Sequence, residues 1–159
     1  MIICCDIDGV LADVREPVKK YLLGGKKDWS AYLASAEGFP VILPMSALLC
    51  ALAAKSYHEI YLVTGRPESN RRLTLLWLQK KVPILYLPPV VLLMRPDNSS
   101  LSSHTCDIKM QWFRELKPNL VIDDDPEVVE AATREGFIVL QVHGFRVTSK
   151  ELIPDHPGD

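Results

Sequence analysis

Short apolar runs recur along the chain and alternate with segments in which apolar residues return every three or four positions. Runs of this length are typical of strands buried in a parallel sheet, whereas the longer spacing is typical of amphipathic helices. We predict strands at 2–5, 60–63, 120–122 and 137–142, with weaker candidates at 84–87 and 90–94. The alternation predicts an α/β fold with a mainly parallel central sheet and helices on both faces.

Three helical stripes lie between the predicted strands. They consist of Leu48, Leu49, Leu52 and Ala53; of Leu73, Leu76 and Trp77; and of Val128, Val129 and Ala132. Pro67 and Pro126 each follow a predicted strand, and the first turn of a helix accepts proline. Gly136 is predicted to end the last helix.

The 159 residues suffice for one domain with its own core. We predict a single domain over 1–150 and a frayed tail over 151–159. Residues 14–44 form a small helical insert in this scheme, with helices at 16–23 and 28–36. Residues 97–105 are polar and predict a loop.

The composition narrows the classes of function. A formal net charge of -2 argues against a protein that holds nucleic acid by bulk charge alone. The four cysteines are expected to be reduced thiols that act as small apolar residues, because adjacent strand residues such as Cys4 and Cys5 face opposite ways. No apolar segment is long enough to span a bilayer and the first strand starts at once, so we expect a cytoplasmic protein.

Two carboxylates, Asp6 and Asp8, follow the first predicted strand directly. Burying them costs several kcal/mol unless a cation or a proton neutralises them. Residues i and i+2 of extended backbone point to the same side, so the pair can flank a phosphoryl group with its Mg²⁺. Gly9 permits a sharp exit from the strand.

Other polar residues also follow predicted strands. In an open parallel sheet the carboxyl ends of the strands lie along one edge, where ligands bind. The fold would therefore bring four groups together. They are the first acidic pair, Thr64-Gly65-Arg66 after a second strand, Lys109 from the helix after the polar loop, and Asp123-Asp124-Asp125 after a further strand.

Taken in chain order, from Asp6 and Asp8 through Thr64 and Lys109 to Asp123-Asp124, the clusters resemble the four motifs of the haloacid dehalogenase-like (HAD) phosphohydrolases, over roughly residues 1–145. The resemblance implies a three-layer Rossmann-like fold with a minimal cap, and an Mg²⁺-dependent phosphomonoesterase. It implies that Asp6 is the nucleophile that forms an aspartyl-phosphate and that Asp8 is the general acid and base. Thr64 and Lys109 would hold the phosphoryl oxygens. The implied Mg²⁺ ligands are Asp6, the Asp8 backbone carbonyl, and Asp123 or Asp124.

A narrower set of residues is similar to the phosphatase half of phage-type polynucleotide kinase/3′-phosphatases. It comprises Thr64-Gly65-Arg66-Pro67, Trp77-Leu78, Met94-Arg95-Pro96, Lys109 and Val121-Ile122-Asp123-Asp124-Asp125-Pro126. This resemblance implies that Gly65, Arg66 and Arg95 bind a phosphorylated nucleotide or nucleic-acid end. The kinase half is missing, because the chain has no Gly-x-x-x-x-Gly-Lys-Ser/Thr loop.

Several alternatives stay open on the sequence. A nucleotidase or small-metabolite phosphatase would use the same residues, and a non-catalytic module that binds a phosphorylated ligand would keep the fold. Lys117 competes with Lys109, and Gly65 is equally a turn residue. Asp125 before Pro126 is first a helix N-cap and only second a metal-shell residue. The sequence also leaves open the homo-oligomeric state and a separate kinase partner.

Overall fold

A five-stranded parallel sheet forms the centre of the molecule. The computed structural model describes residues 1–23, 27–55, 57–82, 90–97 and 105–145. The strands are β1 (Ile2–Cys5), β2 (Glu59–Pro67), β3 (Val90–Arg95), β4 (Leu120–Asp123) and β5 (Val139–Gln141). Their order is β3-β2-β1-β4-β5, and every neighbouring pair is parallel. The predicted α/β class is confirmed.

Within the described residues, six helices connect or flank the strands. They are α1 (Arg15–Leu22), α2 (Trp29–Ala34), α3 (Leu43–Ala53), α4 (Arg71–Lys81), α5 (Thr105–Leu116) and α6 (Pro126–Arg134), with 3₁₀ turns at Ala36–Gly38 and Glu68–Asn70. All three predicted stripes fall within helices. The weak strand candidate at 84–87 and the predicted tail at 151–159 lie outside the described residues, as does most of the predicted loop at 97–105.

Alternate residues of β1, β2 and β4 enter two separate apolar clusters. In β1, Ile3 and Cys5 pack on the side covered by α1–α4, whereas Cys4 packs with Phe113 of α5 and Val128 of α6. This alternation follows from the two-residue period of a strand. The sheet is therefore the middle of three layers, as predicted.

The helix boundaries follow local chemistry. Asp125 accepts a hydrogen bond from the Glu127 backbone N–H (3.0 Å) and Pro126 opens α6, so the predicted N-cap is confirmed. Gly136 follows the end of α6 at a φ of 87°, where glycine avoids the strain of a side chain. Pro67, in contrast, is the last residue of β2, and α4 begins only at Arg71 after a 3₁₀ turn. The prediction that Pro67 opens a helix is wrong, because strand pairing extends through it.

The end of the last helix also sets the length of β5. The strand covers Val139–Gln141 rather than 137–142. The backbone N–H of Phe137 donates to the Ala132 carbonyl (3.1 Å) and completes the cap of α6, so Phe137 cannot join the sheet.

The insert at 14–44 is anchored to α4. Trp77 is fully buried, and its indole Nε1–H donates to the Phe39 carbonyl at 2.7 Å. The Asn70 side-chain amide, just before α4, donates to the Leu33 carbonyl at 3.1 Å. The described part of the insert is therefore held on the same face of the sheet as α4.

All four cysteines are free thiols. Burial raises the pKa of the Cys4 thiol to about 12, which favours its neutral form. None of the helices described has the length and apolar character that crossing a membrane requires.

Candidate active site

The carboxyl edge of the sheet brings the predicted site residues together. Cys5 is in register with Leu62 of β2 and with Ile122 of β4. The residues that follow these positions therefore emerge at one edge, although more than a hundred positions separate Asp6 from Asp123. The first acidic residue and the last acidic cluster become neighbours in this way.

Three carboxylates form the centre of the site. One carboxylate oxygen from each of Asp6, Asp123 and Asp124 lies within 4.8 Å of the other two. All three residues are buried, with exposures of 6, 1 and 8%. Asp123 also accepts a hydrogen bond from the Asp125 backbone N–H at 2.9 Å. Asp8 does not belong to this carboxylate group.

Lys109 lies between two of these carboxylates. Its Nζ is 3.0 Å from Asp6 Oδ2 and 2.7 Å from Asp123 Oδ2. Burial disfavours the charged ammonium, but Asp123 and Asp6 outweigh that effect and raise the pKa of Lys109. Lys117, the competing candidate, is exposed at the end of α5. The structure therefore brings Lys109 and not Lys117 to the acidic cluster.

The cluster carries more negative charge than its lysine balances. Burial raises the pKa of Asp6, and Asp123 and Asp124 raise it further against the opposing effect of Lys109. Three buried carboxylates with one ammonium leave about two negative charges if all are ionised. Carboxylate oxygens are the ligands that Mg²⁺ prefers, so the donor set and its charge fit this ion.

Gly9 makes room for one of the acids. It adopts a φ of +83°, and a Cβ at this position would lie 2.2 Å from Asp124 Oδ2. The surrounding loop is a tight turn, in which the N–H groups of Leu11 and Ala12 both donate to the Ile7 carbonyl. The Asp6–Gly9 segment and the β4 end can approach this closely only with glycine here.

Asp8 is held apart from the acidic cluster by an arginine. Arg66 Nε donates to Asp8 Oδ2 at 2.9 Å, and Arg66 Nη2 donates to Asp8 Oδ1 at 2.6 Å. The Arg66 side chain is 1% exposed and the Asp8 side chain 24% exposed. Arg66 Nη1 donates to Thr74 Oγ1 at 3.2 Å. Arg66 thus lies at the site with protein partners, and its contact with a substrate stays a prediction.

A bulge near the end of β2 contains three of the predicted site residues, Thr64, Gly65 and Arg66. Thr64 pairs with Met94 and Pro67 with Arg95, so β2 contains two additional residues between these pairs. The buried Thr64 hydroxyl accepts a hydrogen bond from the Arg66 backbone N–H at 3.2 Å.

Gly65 and Arg95 meet at the same bulge. Arg95 Nε donates to the Gly65 carbonyl at 3.1 Å. A Cβ on Gly65 would approach the Thr105 methyl to 2.6 Å, so Gly65 also allows α5 to begin close to β2. Both residues lie beside Thr64, and their predicted contact with a substrate is not tested by these bonds.

The sequence did not identify the residues that surround Arg66 as part of the site. Phe39 and Trp77 place their rings 5.5 and 6.0 Å from its guanidinium carbon, and Thr74 and Asn70 are buried polar residues. One signal was present in the sequence: Asn70, Thr74 and Trp77 follow one helical stripe, and polar residues on such a stripe indicate a buried partner.

The basic residues of α4 are less closely connected to the site. Arg72, Lys80 and Lys81 are exposed, and Arg71 pairs with Glu68. Lys80 also forms an ion pair with Glu37 of the insert. These positions agree with solvent-facing charges on an amphipathic helix.

Comparisons with known proteins supply the fold relationship. No protein-family model matches the sequence, and no curated protein matches it. A chain of the Pnkp1/Rnl/Hen1 RNA repair complex superposes with a TM-score of 0.67 at 23% identity, over 89% of this chain and 42% of that one. A second structure of the Pnkp1/Rnl/Hen1 complex gives 0.65 at 22% identity, over 89% and 45%. The chain therefore spans less than half the length of either relative.

A third relative is similar in size. It is a haloacid dehalogenase-like family hydrolase from Streptococcus pneumoniae, with a TM-score of 0.59 at 15% identity, over 95% of this chain and 89% of that chain. The fold is haloacid dehalogenase-like. The predicted fold resemblance is thereby confirmed.

Proposed function

We propose that this protein is an Mg²⁺-dependent phosphomonoester hydrolase that works through an aspartyl-phosphate on Asp6 and acts on nucleotide or polynucleotide 3′-phosphate ends. One observation carries the proposal. The buried Asp6 carboxylate lies against Lys109 and beside two further acids, while Asp8 is held separately by Arg66. This arrangement separates a nucleophile from a proton-transfer group.

The acidic cluster would hold the metal ion. Its ligands would be Asp6, the Asp8 backbone carbonyl, and Asp123 or Asp124. When bound, Mg²⁺ supplies positive charge that offsets the repulsion between a carboxylate and a phosphate dianion. Lys109 supplies a second, permanent positive charge 3.0 Å from Asp6.

The side chains divide the reaction into two displacements. Asp6 attacks phosphorus, the bond from phosphorus to the leaving oxygen breaks, and Asp8 donates a proton to that oxygen. Water then attacks the phosphorus of the aspartyl-phosphate, Asp8 takes its proton, and Asp6 is released with inorganic phosphate. The Thr64 hydroxyl and the Lys109 ammonium stabilise the phosphoryl oxygens in both steps.

The substrate class rests on the relatives and on the insert. Two similar structures come from an RNA repair complex, and this similarity supports a nucleic-acid end as the substrate. The described insert consists of two short helices and a 3₁₀ turn, which is little material to cover a bulky substrate. Of the three residues predicted to bind the end, Gly65 and Arg95 are proposed to do so, whereas the Arg66 guanidinium is buried against Asp8 and Thr74.

A phosphatase screen tests the substrate. With Mg²⁺ present, we expect 3′-phosphorylated oligonucleotides to be hydrolysed faster than 3′- and 5′-mononucleotides or sugar phosphates. A preference for mononucleotides or sugar phosphates would instead indicate a nucleotidase or a metabolite phosphatase on the same site.

A single-turnover experiment tests the mechanism. A radiolabelled phosphate should yield an acid-stable, hydroxylamine-sensitive phosphoenzyme in the wild type, and Asp6→Asn should abolish both this species and turnover. Glu115→Gln removes an exposed carboxylate at the far end of α5 and should change neither. Binding of a phosphorylated ligand without turnover would support the binding-module alternative, and full activity in Asp6→Asn would exclude Asp6 as nucleophile.

A further inference from the structure

We infer that Arg66 is a positioning residue: it fixes the Asp8 carboxylate through a partly buried bidentate pair and connects it to the insert through Thr74, Asn70 and the Leu33 carbonyl. The inference rests on the proposed function, in which Asp8 moves the proton. It differs from the sequence-based expectation that Arg66 binds the substrate directly.

The geometry of the Arg66–Asp8 ion pair suits a role in orienting the carboxylate, beyond neutralising its charge. Two parallel N–H···O bonds, at 2.9 and 2.6 Å, join the planar guanidinium to both oxygens of Asp8. Such a fork restricts rotation of the carboxylate, which a single lysine ammonium cannot do. Asp8 keeps 24% of its side chain exposed, so the fixed carboxylate still reaches the open side of the site.

A chain of buried hydrogen bonds holds the arginine in turn. Arg66 Nη1 donates to Thr74 Oγ1 (3.2 Å), and the Thr74 hydroxyl donates to Asn70 Oδ1 (3.3 Å). Asn70 Nδ2 then donates to the Leu33 carbonyl of α2 (3.1 Å). The orientation of Asp8 is therefore linked, group by group, to the insert.

Two aromatic rings lie close to the guanidinium. Phe39, from the insert, lies 5.5 Å from the Arg66 guanidinium carbon, and Trp77 lies 6.0 Å from it. Trp77 also donates to the Phe39 backbone carbonyl, which links the two residues. Only 1% of the Arg66 side chain is exposed. Water is therefore excluded from the guanidinium, which strengthens its ion pair with Asp8. A substrate would accordingly meet Asp8 rather than Arg66.

Leaving-group chemistry separates a positioning role from the other roles. An alkoxide, such as the ribose oxygen of a 3′-nucleotide, needs a proton as it departs, whereas 2,4-dinitrophenolate does not. General acid catalysis contributes roughly 10²–10⁴-fold where it is needed. A variant that misplaces Asp8 should therefore lose activity on alkyl phosphates selectively.

The experiment compares Arg66→Gln and Arg66→Lys with the wild type, in Mg²⁺, on a 3′-nucleotide and on 2,4-dinitrophenyl phosphate. We expect kcat on the nucleotide to fall by at least about 10²-fold in Arg66→Gln, with KM changed by less than about threefold. The first-turnover burst of dinitrophenolate should slow by less than about tenfold. The burst is the required measure because Asp8 also acts in the later hydrolysis of the phosphoenzyme. Arg66→Lys should not restore the nucleotide rate, because an ammonium cannot form the fork.

Two further variants make the result decisive. Thr74→Val keeps the ion pair but removes one partner of Arg66, so it should show a smaller loss with the same leaving-group selectivity. Arg114→Gln removes an exposed bidentate pair with Glu135 and should leave both rates unchanged. Thermal unfolding of each variant records any loss of fold separately.

Three outcomes would overturn the inference. Equal loss on both substrates with a raised KM would show that Arg66 binds the substrate. Equal loss with unchanged KM would show that it only supports the fold. Failure of the wild-type protein to hydrolyse either phosphate would remove the proposed function itself, which is a distinguishable result.

Discussion

At the scale of a single residue, the absence of a side chain at Gly9 is as important to the site as the acids themselves. The loop after β1 turns back so tightly that the Asp124 carboxylate occupies the place of a Cβ. The backbone of Gly9 also has a positive φ of +83°. The close approach of Asp124 and the positive φ therefore each require glycine at this position.

Gly9→Ala should damage both stability and the metal site. The positive φ alone costs an L-residue about 1–2 kcal/mol of unfolding free energy. The new methyl group would also displace Asp124, so Mg²⁺ affinity and turnover should fall. Denaturant unfolding and an Mg²⁺ titration by calorimetry measure the two effects.

Gly136→Ala is the matched control for this substitution. Gly136 has a similar φ of +87°, but a Cβ there would have nothing within 4 Å. It should show a similar backbone cost of about 1–2 kcal/mol with normal Mg²⁺ binding. If both variants bound Mg²⁺ normally, the role assigned to the Gly9–Asp124 contact would be wrong.

At the scale of an element, helix α4 is the part that joins the insert to the sheet. Asn70, just before α4, reaches Leu33, and Thr74 within α4 reaches Arg66. The apolar Trp77 follows one turn later. Trp77 fills the core and donates its single N–H to the insert. One helix face thereby supports both the packing and the polar network of the site.

Trp77→Phe should destabilise the fold by about 1–3 kcal/mol, because it leaves the Phe39 carbonyl without its buried donor. Urea unfolding monitored by circular dichroism measures the change. Trp29→Phe removes an indole that is 54% exposed and should stay within about 0.5 kcal/mol of the wild type. Equal stability of the two variants would mean that the Trp77 hydrogen bond does not anchor the insert.

At the scale of the whole molecule, the proposed metal site would couple stability to metal binding. The protein brings three carboxylates together, two of them paired with Lys109, although burial raises the pKa of Asp6 and disfavours its charge. A ligand that binds only the folded state stabilises it in proportion to the logarithm of its concentration. Under the proposed function, the stability of the fold would therefore depend on the metal ion that the site binds.

Mg²⁺ should raise the free energy of unfolding by about 2.7 kcal/mol at a hundred times its Kd. Thermal unfolding with and without EDTA measures the shift. Asp6→Asn should lose most of this shift and should be more stable than the wild type in EDTA, because it removes one buried charge. Ca²⁺ should stabilise the fold but support little turnover, since its looser coordination misplaces the attacking carboxylate. An unchanged shift in Asp6→Asn would place the ion elsewhere.

The apolar pattern by itself determined how strands and helices alternate along the chain, and the sheet edge at which Asp6, Thr64 and Asp123 emerge. This succeeded because strand and helix periods are local properties, and because parallel strands present their carboxyl ends together. The position of Lys109 within the first turns of α5 was likewise readable from motif order. Pro67 shows the limit of local rules, since pairing with β3 overrode its preference for a helix start.

Only the tertiary structure decided how these residues meet. The bidentate pair between Arg66 and Asp8 joins positions 58 residues apart, and it depends on a bulge in β2 and on the packing of α4. The contact between Gly9 and Asp124 depends on how closely β1 and β4 approach. Such distances come from packing among distant segments, which no local period in the sequence encodes.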